Sequence, residues 1–408
     1  MKIVLVHNFY QQPGGEDVIF EQERRLLESN GHQVVVYNRS NFETESWNKL
    51  QLLKNIVWAN DSKADIERLL KAEKPDVVHI HNTFMVISPS IYQACVEAGV
   101  PTVQTLHNYR LLCPTATFYR DGHVCEDCLK QNLFQSVKHA CYRNSRANTA
   151  AVAFMLAFHR QRGTWAKDVT RFIALTEFAR ERFIESGLPS RKIVVKPNFI
   201  DPDPGERAEA GGYAFFAGRL TPEKGVGVLL DAWKLLKSPI PLKIAGDGPA
   251  RADLEAQAER LGLKNVEFLG RIDRSDVVRT LKGAHFVVVP SLWYEGFAVV
   301  LVDGFACGLP VLTSRIGSMI ELVKDGKTGL LFNPGDAKDL AARAQWLWDN
   351  PEQAAAIGRN ARQEYLQKYT AEQNYAALMD IYKQAIEESR GIPLSPAELI
   401  ADPQLHDV

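Results

Sequence analysis

Three stretches of this sequence place chemically useful residues directly after apolar runs that read as strands. In AGRLTPEKG, at 217–225, Arg219 and Lys224 lie five residues apart on one loop. A forked guanidinium and a point-like ammonium together suit the two phosphates of a diphosphate; the plain alternative is a loop with surface charges. In PSLWYEGFAVVLVDGFACGLPV, at 290–311, Glu295 precedes a Gly-Phe turn and Asp303 follows eight residues later on a helical pattern. At 1.5 Å rise per residue the carboxylates stand up to ~12 Å apart along the axis. That spacing suits two hydroxyl-bearing groups at opposite ends of one extended ligand, and does not suit a glycosidase pair flanking a single bond. The backbone N–H groups of Gly296, Phe297 and Ala298 at that helix start would meet an anion or a sugar oxygen; otherwise the carboxylates merely favour a helix start. In HNFYQQPGGED, at 7–17, Gly14 and Gly15 precede a helix and could turn bare N–H groups towards an anion, or simply form a turn. The stretch lacks GxGxxG, and no acidic residue ends the second strand, so a nicotinamide dinucleotide is not expected. A nucleotide diphosphate sugar satisfies all three stretches at once.

Two further groups lie in the first half. Cys113, Cys125, Cys128 and Cys141 fall within 29 residues, and the CEDC pair has zinc-ligand spacing. A structural zinc is one reading; reduced buried thiols or labile disulfides are the others. Four thiolates leave no open coordination position, so such a zinc would not be catalytic. Cys95 and Cys307 sit in helical patterns and read as packing residues. The second group is basic: AAVAFMLAFHRQR at 150–162, followed by Trp165 and Lys167, reads either as an interfacial helix facing anionic lipid or as a core helix with a charged end. Arg110 and Arg143 are candidates to face a pyrophosphate on an acceptor.

The elements that must position these residues are legible from periodicity. Apolar runs at 3–6, 34–37, 76–80, 101–106, 171–175 and 193–196 alternate with helical patterns, and a second set follows at 213–217, 242–245, 266–269, 286–289 and 310–313. Continuous apolar strands between helices predict parallel sheets covered on both faces, hence two doubly wound α/β domains in tandem. The joint is expected near 197–212, where Pro, Gly and charge collect. Residues 365–388 read as one long amphipathic helix, and the tail beyond Gly391 as poorly ordered. The composition of the 408 residues is that of a globular chain, 46% hydrophobic and 24% charged, with net charge −1. No polyelectrolyte partner such as nucleic acid is implied. No stretch approaches the ~20 apolar residues of a spanning helix, and the N-terminus reads as a strand rather than a leader, so a soluble cytoplasmic protein is expected.

The ordered set AGRLTPEKG, IAGDGP, VEFLGRI, PSLWYEGFAVVLVDGFACGLPV and ELVKDGKTGLLFNPGD, with PGGEDV, TLHNYR and VKPN in the first half, resembles the family 4 retaining glycosyltransferases over residues 1–385. The resemblance implies the GT-B fold: two Rossmann-like domains facing each other across a cleft. The expected boundaries are 1–198 for an acceptor-side domain with a Cys-containing insertion at 108–145, 199–365 for a nucleotide-sugar domain, a helix at 366–388 crossing back, and a tail at 389–408. It implies transfer of a hexose from a nucleotide diphosphate sugar to a glycan or lipid-linked acceptor, with retention and with no cofactor or divalent metal required. By motif, Arg219 and Lys224 hold the diphosphate, Gly15 adds an N–H, Glu295 lies near the donor sugar, and His107 near the reacting centre. Asp303 stands where the family usually has a Glu bonding the ribose, a shorter side chain. The biological setting that follows is surface polysaccharide assembly, at or near the inner face of a membrane. Two rivals are a GT-B nucleotide-sugar 2-epimerase, which would convert donor without acceptor, and a non-catalytic nucleotide-sugar binder.

Overall fold

A computed structural model describes residues 1–12, 14–208 and 211–392. The chain divides into two units, one made of 1–116, 126–197 and Asn374 onward, the other of 117–125 and 198–373. The crossing at 197/198 lies at the start of the stretch where Pro, Gly and charge collect. One departure stands out. Residues 117–125, inside the stretch expected to be an insertion of the first domain, group with the second unit. The final helix groups with the first.

The first unit is built on β1 (Lys2–Phe9), β2 (Gln33–Ser40), β3 (Val77–Ile80) and β4 (Thr102–Leu106). After the short antiparallel hairpin of β5 (Tyr119–Arg120) and β6 (His123–Val124), which belongs to the second unit, come β7 (Arg171–Ala174) and β8 (Ile193–Val195). The sheet order is β2-β1-β3-β4-β7-β8, every pairing parallel. Ile3–Val6, Val77, Val78 and Phe172–Ala174 are fully buried, as strands covered on both faces require. Each such apolar side chain contributes about 1.5–3 kcal/mol when buried.

The second unit repeats the scheme with β9 (Ala214–Ala217), β10 (Leu242–Ala245), β11 (Val266–Gly270), β12 (Phe286–Val289), β13 (Val311–Ser314) and β14 (Gly329–Phe332), ordered β11-β10-β9-β12-β13-β14 and all parallel. Its core lies on both faces of the sheet. Phe216, Leu229, Leu230 and Trp233 fill one side, and Phe215, Leu301, Val302 and Phe305 the other.

The expected helix at 365–388 is two helices, Pro351–Lys368 and Ala371–Ser389. The break falls at Tyr369, which turns its ring into the second unit's core, while Leu378, Ile381, Tyr382 and Ala385 pack with Ile3, Leu5 and Phe20 of the first. Of the expected tail, residues 393–408 lie outside the described residues. Among the described residues no helix is long and apolar enough to cross a membrane.

Candidate functional site

In parallel α/β sheets the loops after the strands gather at one edge, where ligands bind. In the second unit β9 and β12 are neighbours, and their following loops carry the expected residues. Gly225 allows these loops to close on one another. Its φ is +71°, and a Cβ there would stand 1.9 Å from the Pro290 carbonyl oxygen. The Leu292 N–H donates to the Glu223 carbonyl at 2.8 Å, fixing the register between loops. Gly246, at φ +139°, likewise lets the turn after β10 lie against the Gly218 carbonyl.

Within this frame Lys224 Nζ donates to both oxygens of Glu295, at 2.7 and 3.0 Å. The Ser291 hydroxyl adds a third bond to Glu295 Oε1 at 2.6 Å, and the Ser318 hydroxyl bonds the Glu295 carbonyl at 2.8 Å. Lys224 also lies 5.3 Å from the centre of the Trp293 ring. Glu295 is 4% exposed, and its carboxylate is fixed by a cation and a hydroxyl. Arg219 is exposed, and among the described residues it has no ion-pair partner. The two cations are therefore in different states, Lys224 paired and Arg219 open to solvent. Ala298 is buried just ahead of the helix Val299–Ala306, with Gly296 and Phe297 partly exposed before it.

Asp303 departs from expectation. It is 2% exposed, and both its oxygens accept from the guanidinium of Arg274. It is not a lone hydroxyl acceptor. Burial raises its pKa against the opposing pull of Arg274. Each oxygen keeps a second lone pair, so any hydroxyl meeting Asp303 shares it with Arg274, a residue that sequence reading did not single out.

In the first unit three neighbouring strands end in the same dipeptide. His7-Asn8 closes β1, His81-Asn82 follows β3, and His107-Asn108 follows β4. The histidines face inward. His7 Nε2 is 2.7 Å from Asp17, and His81 Nδ1 is 2.9 Å from His107 Nε2. The asparagines of the last two turns both donate to Glu16, Asn82 at 3.2 Å and Asn108 at 3.0 Å. Burial, and then the neighbouring Asp17, push the Glu16 carboxyl up to about 7. Gly15 is exposed at the first position of the helix Gly15–Ser29. Gly14 is not available in the same way, because its N–H donates to Asp17 at 2.7 Å.

Beneath this edge lies a buried cluster. Lys196 Nζ sits 2.6 Å from Glu23 Oε1, both residues 1% exposed. Glu23 Oε2 is 3.2 Å from His81 Nε2. Burial alone would raise the Glu23 pKa, but Lys196 and His81 hold it well below the usual carboxylate range. His7, His79 and His107 are all pulled down by burial and are neutral near pH 7. His79 spends both nitrogens, on the Tyr382 hydroxyl at 2.7 Å and the Thr105 hydroxyl at 2.8 Å. Glu23, His79 and His81 have ligand atoms close enough to share a metal ion. The lysine already supplies that cation and the His79 nitrogens are engaged, so the geometry is that of an ion-paired core.

Two descriptions of known families match the chain. Glycosyltransferase Family 4 matches residues 13–204, and Glycosyl transferases group 1 matches residues 200–364. The chain belongs to the family 4 glycosyltransferases. It is 40% identical to the D-rhamnosyltransferase WbpZ of Pseudomonas aeruginosa over 161 residues, 39% of this chain and 42% of that protein. It is 29% identical to the O-antigen chain mannosyltransferase C of Escherichia coli over 177 residues, 43% of this chain and 47% of that protein. The match therefore spans less than half the length of these curated relatives. Among solved structures, Anabaena Alr3699/HepE in complex with UDP and glucose superposes with a TM-score of 0.66 at 20% identity, covering 93% of this chain and 98% of that one. The two parallel-sheet units are those of the GT-B fold.

Within this family 4 glycosyltransferase each unit assembles its own expected residues. Lys224, Glu295 and the start of the Val299–Ala306 helix share one edge of the second sheet, and His107 lies on the edge of the first. The cysteines are all free thiols. Among the described residues the four expected zinc ligands are not drawn together as a ligand set. Cys113 Sγ meets the Thr115 hydroxyl at 3.1 Å, burial pushes the Cys128 thiol up to about 12, and Cys125 belongs to the other unit. Cys95 and Cys307 are buried packing residues. Arg110 is turned inward, 4.1 Å from the centre of the Phe84 ring and bonded to the Pro114 carbonyl, whereas Arg143 is exposed. Sequence reading missed Glu16, Glu23, His81, Lys196 and Arg274. The signal for the first group was the His-Asn dipeptide, which occurs three times in the chain, each time at the end of a strand.

Proposed function

We propose that the protein is a retaining glycosyltransferase that moves a hexosyl group from a nucleoside diphosphate sugar to a glycan or lipid-linked acceptor in surface polysaccharide assembly. The observation that carries this reading is the Lys224–Glu295 pair beside the exposed Arg219, which has no ion-pair partner among the described residues, on adjacent loops at the carboxyl edge of the second sheet. Both cations are placed to stabilise negative charge as it develops on the departing diphosphate. The helix start at Gly296, Phe297 and Ala298 adds positive backbone dipole.

In the step proposed, the bond between the anomeric carbon and the diphosphate oxygen breaks. A bond to the acceptor oxygen forms on the same face, and the acceptor proton passes to the departing phosphate. Glu295 acts electrostatically, since three hydrogen bonds hold its carboxylate away from nucleophilic use. The relatives named as a rhamnosyltransferase and an O-antigen mannosyltransferase support a hexosyl donor and a polysaccharide product, and the UDP complex supports a nucleoside diphosphate donor.

A membrane-facing role rests on a separate surface. The helices Lys49–Val57 and Arg146–Arg162 pack together and leave Leu50, Leu53, Phe154 and Phe158 exposed. Exposed Lys49, Lys54, Arg146, Arg160 and Arg162 flank them. Apolar side chains rimmed by cations suit an anionic lipid surface carrying a lipid-linked acceptor. Trp165, expected to join this surface, is 4% exposed and belongs to the core.

Purified protein with UDP-, GDP- and ADP-sugars in a thermal-shift screen tests the donor class, since binding raises the melting temperature. Proton NMR of the product then reads the anomeric configuration: an unchanged configuration supports the reading and an inverted one defeats retention. Conversion of the sugar with donor alone identifies the epimerase instead.

A further inference from the structure

The buried cluster of the first unit has a direction. It begins at Lys196 after β8, passes to Glu23 on the Gly15–Ser29 helix at 2.6 Å, continues to His81 after β3 at 3.2 Å, and ends on His107 after β4 at 2.9 Å. Glu23 Oε2 and His81 Nε2 are both buried, and among the described residues neither has another hydrogen-bond partner; they stand 3.2 Å apart, with His79 Nδ1 farther from Glu23 Oε2 at 3.9 Å, so each is the nearest group that can satisfy the other. His107 alone of these four is partly exposed.

A neutral imidazole has one N–H and one bare nitrogen. The Glu23 carboxylate only accepts, so His81 must carry its proton on Nε2. Its Nδ1 is then bare and can only accept from His107. His107 must therefore carry its proton on Nε2, which leaves Nδ1 with a free lone pair. The opposite arrangement needs a doubly protonated His81. Lys196 already balances Glu23, so that extra charge would be buried without a counterion. The other groups packed around His81 do not supply one. His7 from β1 faces Asp17, and His79 from β3 is closed by Tyr382 and Thr105.

We infer that Lys196, Glu23 and His81 are positioning residues that fix His107 in one tautomer, with its proton on Nε2 and a bare Nδ1 offered as a hydrogen-bond acceptor. A buried ion pair is costly to assemble and weak as a stabiliser, so its use here lies in setting direction. The consequence for turnover rests on the reading of His107 as a residue of the reacting centre; the tautomer does not.

The full chain, labelled with ¹⁵N-histidine, gives a long-range proton–nitrogen spectrum in which His107 is assigned by its loss in H107Q. The expected wild-type pattern is protonated Nε2 and unprotonated Nδ1 at neutral pH; a protonated Nδ1 overturns the proposal outright, without any variant. Two double variants keep the core neutral. E23Q/K196M retains an acceptor for His81 and should preserve the pattern. E23L/K196M removes it, and His107 should show a mixture of tautomers with kcat reduced about 10²-fold and donor KM little changed. An unaltered His107 signal in E23L/K196M overturns the proposal. A changed signal with undiminished kcat upholds the chain and defeats the assignment of His107 to the reacting centre.

Discussion

Charged side chains that lie buried without a matched partner are the points at which single substitutions in this molecule should matter most. Among the described residues Asp303 has one counter-charge, Arg274, whose own side chain is 42% exposed. Replacing Arg274 by Ala leaves a carboxylate of 2% exposure unpaired. The partial exposure of the arginine discounts the full penalty of a broken buried pair, so the loss should be about 1–3 kcal/mol in a urea titration. R274A/D303N should recover part of it, because the charge that needed the arginine is gone; strictly additive effects in that double-mutant cycle would show that the fork is not coupled. Glu16 gives a pH-dependent case. Its carboxyl is raised from 4.5 to about 7, by burial first and then by Asp17, against the lowering effects of Asn108, Arg110 and Tyr10. Between those values the folded chain keeps a proton that the unfolded chain has released, so stability falls as pH climbs through that window. E16Q imitates the protonated acid. The variant should match wild type near pH 4.5 and exceed it by on the order of 1–3 kcal/mol at pH 8. Urea midpoints at the two pH values measure this, and a constant difference would mean that Glu16 titrates normally.

At the scale of elements, eleven of the strands follow from continuous apolar runs, since parallel strands buried on both faces leave little else in their sequence. β14 escaped because its run is only Gly-Leu-Leu-Phe and follows Lys327 and Thr328, a string that reads as a turn. The Pro351–Lys368 and Ala371–Ser389 helices read in part as one, because the break at Tyr369 and Thr370 contains neither Gly nor Pro and the apolar period runs through it. The donor-side loops were legible, for the residues that make them lie within one or two short stretches. The Lys196–Glu23–His81 chain was not, since its members are separated by up to 173 positions and a lone Lys or Glu in sequence reads as surface. The paired helices 49–57 and 146–162 show the same limit: the second announced an apolar stretch, but only the fold sets Leu50 and Leu53 beside Phe154 and Phe158. L50E/F154E should therefore lower co-sedimentation with vesicles containing anionic lipid several-fold, each buried apolar side chain contributing about 1.5–3 kcal/mol. Activity on a soluble acceptor should be kept. Unchanged sedimentation would remove this surface from the account.

At the scale of the whole molecule, the last helix ties chain order to the fold of the first unit. Leu378, Ile381, Tyr382 and Ala385 are buried against Ile3, Leu5, Phe20, Val77 and Val103, and the Tyr382 hydroxyl caps His79 at 2.7 Å. Three large side chains at about 1.5–3 kcal/mol each amount to much of the 5–15 kcal/mol by which a domain is usually stable. A chain ending at Thr370 should thus lose the first unit's fold. The second unit's core takes its last member from Tyr369 and none from the Ala371–Ser389 helix. It should stay folded. Hydrogen exchange on the truncated chain reads both outcomes together: amides of β1, β3 and β4 should exchange at near-unfolded rates while those of β9, β12 and β13 remain protected. Y382F in the intact chain is the graded version. It keeps the packing and removes one buried hydrogen bond to His79, so its cost should be about 1 kcal/mol. Protection of β3 should fall by that amount with β12 unaffected. Protected β1 and β3 amides in the truncated chain would mean that the first sheet is complete without its final helix, and that the helix returns for some purpose other than closing the core.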